Sequence, residues 1–165
     1  MTEPTIDDIE AEWRDQVERV RADIVQSQIG AVLMGVASYI CHVSAYTFTH
    51  DAALGLEGLR QMIQRRTREK PLPPRAIHAV LAAERAHIDQ GEANRIAYAL
   101  VRAYNGIIAP AARTASRSDA AMLCRLAIEV PLGWFSGAVG LGLLDQAAEV
   151  MRQNSTRPPA ILTLH

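Results

Sequence analysis

Two stretches of this chain carry almost no charge and are loaded with small residues: residues 29–49 and residues 130–144. A helix built from either offers water no polar face, so protein or lipid has to cover it nearly all round. What supplies that cover is the central question for this sequence.

In the first stretch Ile29, Val32, Val36, Ile40 and Val43 form a large apolar stripe at helical spacing. Gln28, Ala31, Gly35, Ser38, His42, Ala45 and Thr49 form a second stripe of small or weakly polar residues. Small side chains let two helix backbones approach closely, in membranes and in tight soluble packing alike. In the second stretch Gly133, Gly137, Gly140 and Gly142 interleave with Trp134, Phe135, Val139, Leu141, Leu143 and Leu144 beyond Pro131, which breaks or kinks the preceding helix. Each glycine inside a helix costs about 1 kcal/mol relative to Ala, so four of them imply a neighbour pressed against their backbone. The candidate contact face is therefore Ala31, Gly35, Ser38, His42, Gly133, Gly137 and Gly140, with a second copy or a protein partner as occupant.

The remaining pattern predicts an all-α bundle of about five to six helices, with the two small-residue stretches as core helices. Thr5 and Asp8 form a capping box ahead of Ile6, Ile9, Trp13, Val17, Val20 and Ile24. If that helix continues into the first apolar stretch it exceeds about 40 residues and roughly 60 Å, with a break near Gly30 or Gly35 as the alternative. Asp51 caps a helix that carries Leu54, Leu59, Met62 and Ile63, ends in the basic run 64–70 and is stopped by Pro71, Pro73 and Pro74. A helix starts again near Pro74, and Asp89 with Glu92 caps a restart that runs to Pro110. Residues 111–118 read as a connector, with Ser116 and Asp119 as caps for the next helix. Residues 1–152 then form one helical domain, and residues 153–165 a linker with a short apolar tail at 160–164. With 49% hydrophobic residues there is ample material for a core, and 5% aromatics means close helix contact must fill it.

Charge is unevenly placed. Residues 1–28 hold eight acids against three Arg, whereas Arg60, Arg65, Arg66, Arg68, Lys70 and Arg75 form a basic patch broken only by Glu69. Such polarity pairs two parts of one chain, pairs two copies, or is simply a pair of solvated faces. The net charge of −1 and the acidic amino-terminal segment argue against nucleic acid as the partner. Lys70 is the single lysine, the mark of a GC-rich, bacterial genome more than of a binding demand.

Chemistry is sparsely signalled. Glu84 and His87 form one Glu-x-x-His pair that could share a metal ion, with Glu57 as an upstream ligand or a second half-site across a dimer axis. Glu129, among apolar neighbours, is either paired with an Arg such as Arg125 or buried at a functional position, and the paired reading is preferred. Cys41 and Cys124 sit in apolar patterns as small buried hydrophobes. No phosphate loop, nucleophile elbow or Cys-x-x-Cys motif occurs, so the sequence indicates neither enzyme nor cofactor. The expectation is a self-associating helical interaction protein of the cytoplasm. The alternative is a small inner-membrane protein with one or two spans, since residues 29–49 are long enough to cross a bilayer.

Overall fold

The computed structural model describes residues 3–24, 29–48, 51–65, 67–77, 79 and 89–155. They are all-α: α1 (Ile6–Ala22), α2 (Ile29–Thr47), α3 (Ala52–Gln64), α4 (Gln90–Thr114), α5 (Arg117–Leu132) and α6 (Gly137–Ser155), with a further helical turn at 74–77. The caps stand where side-chain chemistry puts them. Thr5 and Asp8 close a reciprocal capping box on α1, and Asp51, Asp89 and Ser116 each accept the backbone N–H three residues on, starting α3, α4 and α5.

Helix α2 is the axle of the bundle. It packs most heavily on α4 and also against α3, α5 and α6, while α1 lies on α4 and α5 and α3 lies on α6. Ile9, Trp13 and Val17 face inward from α1 at a spacing of four, as an amphipathic surface helix requires. On α2 the buried arc is wider, taking in Ala31, Leu33, Gly35, Val36, Tyr39, Ile40, Val43 and Ser44. The apolar stripe expected from Ile29 to Val43 is therefore not one buried face: Ile29 is 60% exposed, and Tyr39 and Ser44 are enclosed instead.

One polar arrangement locks the centre. Pro131 lies inside α5 and has no N–H, so the carbonyl of Ala127 one turn back loses its helical donor in a place shut off from solvent. The Tyr39 hydroxyl donates to that carbonyl at 2.6 Å, and Trp13 Nε1 donates to the neighbouring carbonyl of Leu126 at 2.9 Å. The two rings stack with centroids 6.4 Å apart. Burial pushes the Tyr39 phenol well above its ordinary range, so it stays a donor at any physiological pH.

Of the two readings of the first helices, one rod or a break, the structure has the break: α1 ends at Ala22 with Asp23 as its C-cap, ahead of Gly30. Other sequence expectations are corrected. The basic run is not the end of a helix, since α3 stops at Gln64 and 67–73 is extended or bent. Pro110 does not end α4, which continues to Thr114. Its ring and the Gly106 carbonyl it deprives both lie on the exposed side, where solvent meets the loss, so residues 111–114 are helix rather than connector. The second uncharged stretch is a corner: α5 ends at Leu132, residues 133–136 turn, and α6 begins at Gly137. Helix α6 runs through Ser155. Residues 156–165, with the apolar tail, lie outside the described residues.

Candidate interaction surface

The small residues fall into two groups. Ala31 is fully buried, and a Cβ at Gly35 would stand 2.8 Å from the Ala93 carbonyl oxygen and 2.9 Å from Ile96 Cβ, both on α4. Their smallness thus admits a helix of the same chain. Around the corner, a Cβ at Gly137 would meet Thr67 Oγ1 at 2.9 Å, and one at Gly142 would meet the Leu72 carbonyl at 2.7 Å. Segment 67–77 is the neighbour pressed on these glycines. It is tied down by the Leu72 N–H to Ala138 carbonyl bond, 2.8 Å, and by the Glu69 carboxylate, which accepts from the Ala138 N–H at 2.7 Å on the amino end of α6. Gly140 is buried with room for a Cβ, and Gly133 is exposed in the turn.

Ser38 and His42 remain accessible from the α2 stripe. They line a groove of about 490 Å³ along the α2–α4 seam, faced from α4 by Asn94, Arg95, Tyr98 and Val101. Tyr98 is 68% exposed in its wall, and Tyr46, 69% exposed, sets its ring 4.8 Å from the His42 imidazole. Partial burial holds His42 below its ordinary pKa, so the ring is neutral at pH 7. Arg95 is clamped by both Glu92 oxygens, at 2.7 and 2.9 Å, and donates to the Asp23 carbonyl at 3.0 Å. The seam is consequently a tyrosine-bearing surface on two core helices, its lining Arg95 balanced by Glu92. The two tyrosines escaped sequence reasoning. Tyr46 lies one turn beyond His42 on the stripe's flank, but Tyr98 is brought beside it only by the α2–α4 crossing.

The basic patch is divided. Arg60 pairs with Asp145 of α6 and lies 3.9 Å from Glu57, so its charge is engaged between α3 and α6. Arg65, Arg68, Lys70 and Arg75 are exposed, and Arg66 lies outside the described residues. On α1 the pairs Arg14–Glu10 at 2.9 Å and Arg19–Asp15 at 3.1 Å leave Glu12 and Glu18 on an exposed acidic face.

Glu84 and His87 lie outside the described residues, and among the described ones no group of three or more metal-ligating side chains converges. Glu57, the third member of that idea, faces Arg60 and accepts from Gln61 Nε2 at 3.4 Å. Glu129 pairs with Arg125 at 3.2 Å. Burial pushes the Cys41 thiol up to about 11 and raises that of Cys124, which makes both poor nucleophiles near neutral pH. No family model, curated protein or solved structure matches the chain.

Proposed function

We propose that this chain is a helical interaction protein that self-associates through the α2–α4 seam. The observation that carries this reading is the exposure of Tyr46 on α2 and Tyr98 on α4 beside a groove whose lining Arg95 is held in an ion pair, while the other tyrosine of α2, Tyr39, is fully enclosed. Tyrosine is favoured at contact centres because its ring supplies area and its hydroxyl a hydrogen bond at low entropic cost. A neutral patch is also compatible with itself across a two-fold axis, where any net charge would face its own kind. Because the seam rides on core helices, it is presented in one conformation without ordering cost on binding.

The cytoplasmic reading draws on the packing of α2. Among the described residues α2 is the one helix long and apolar enough to cross a membrane, at 19 residues and mean hydropathy 1.5. Half of it is buried inside the bundle, and its main neighbour α4 carries Glu92, Arg95 and Arg102. Light scattering of the full chain with and without detergent tests both parts. In detergent-free buffer the mass should exceed the 18.0 kDa monomer. The double variant Tyr46→Ser/Tyr98→Ser should weaken association by about tenfold or more, the scale of lost contact-centre tyrosines. A monomer at every concentration overturns self-association, and recovery from cells only with detergent replaces it with the membrane reading.

A further inference from the structure

We propose that copies of this chain also meet head to tail, the acidic outer face of α1 on one copy docking against the basic segment 65–75 of the next. Residues 3–24 hold eight carboxylates against three Arg, a net −5, and residues 65–75 hold five bases against Glu69, a net +4. With the whole chain at −1, these two segments account for most of the molecule's charge imbalance and nearly offset one another.

Within one copy they are held by different elements. Helix α1 packs on α4 and α5, whereas 67–72 is held on the amino end of α6. Among the described residues every ion pair is local to one helix except Arg60–Asp145, so none joins the acidic face to the basic segment. Asp7, Glu12 and Glu18 stand exposed on one side, Arg65, Arg68, Lys70 and Arg75 on the other. The sole acid of the basic segment, Glu69, turns onto the Ala138 N–H, and its charge is already counted in the net +4.

A polyanion such as duplex DNA or an anionic membrane would satisfy the basic segment but leave the acidic face of α1 without a partner. A second copy satisfies both surfaces at once. Because the contact joins two different patches, it leaves one free end of each kind and builds an open chain or a closed ring. It borders the α2–α4 seam, since Glu12 and Tyr98 line one groove between α1 and α4, but it draws on the charges of α1 and 65–75 rather than on the seam's tyrosines.

Sedimentation of the full chain tests this at about 50 and about 500 mM salt, where the screening length drops well below 10 Å. Association should weaken by about tenfold or more across that range, because each exposed pair is weak alone and the set acts through its summed field. Two charge-reversed variants sharpen the test. One carries Arg68→Glu, Lys70→Glu and Arg75→Glu; the other carries Asp7→Lys, Glu12→Lys and Glu18→Lys, all at exposed positions whose folding circular dichroism checks. Each alone should lose the salt-sensitive association, and mixing them should restore it, since the intact α1 of the first meets the intact basic segment of the second. The Tyr46→Ser/Tyr98→Ser protein should keep it, which separates this contact from the seam. Association indifferent to salt, or a mixture that stays apart, overturns the proposal. So does loss only in the first variant together with wild-type binding to duplex DNA or anionic vesicles.

Discussion

Pro131 removes a hydrogen-bond donor from the enclosed centre of the molecule, and Tyr39 supplies a replacement from another helix. A buried carbonyl without a partner costs more than an ordinary hydrogen bond contributes, so Tyr39→Phe should destabilise the fold by about 1–3 kcal/mol. The cost should fall below about 1 kcal/mol in a Pro131→Ala background, because the restored N–H serves Ala127 within the helix itself. Chemical denaturation of the four proteins of that cycle measures the coupling, and additive losses would dismiss the exchange. The glycines teach a related lesson. None of the described ones has positive φ, so their value is space rather than backbone freedom, and at Gly35 and Gly142 the space is taken by Ala93 and Leu72 of the same chain.

At the level of elements, α3 is fastened to α6 by Arg60 and Asp145, the one described ion pair between helices, with side chains 25% and 26% exposed. Partial enclosure makes such a pair worth more than a surface contact, and removing one member strands the other. Arg60→Ala and Asp145→Ala should each cost about 1–3 kcal/mol, with the double variant well short of the sum, in thermal or denaturant unfolding. The element starts were legible in the sequence because capping is local: Thr5, Asp51, Asp89 and Ser116 each bond a backbone N–H three residues away. The stops were less so. Proline was expected to end helices at Pro110, but a ring on a solvent-facing side is tolerated, and which side faces solvent is a tertiary fact. The partner of Arg60 was invisible for the same reason, being 85 residues away in the chain. So was the seam, whose tyrosines belong to helices that meet only in the fold.

Across the whole molecule, the cover demanded by the uncharged stretches is largely supplied from within. Helix α2 is surrounded by α3, α4, α5 and α6, and the glycine-rich corner is overlaid by segment 67–77. The sequence pattern announced close approach without saying whose backbone would approach. What stays outward is the seam and the segregated charge, the two features on which assembly is proposed to rest. The grip of Trp13 and Tyr39 on adjacent carbonyls of α5 has a further result for how the molecule opens. An amino-terminal helix is ordinarily the first piece to fray. Here its central turn is bolted to the deepest layer of the bundle, so the amides around Trp13 should exchange with deuterium as slowly as those of α2, releasing only when the entire molecule unfolds.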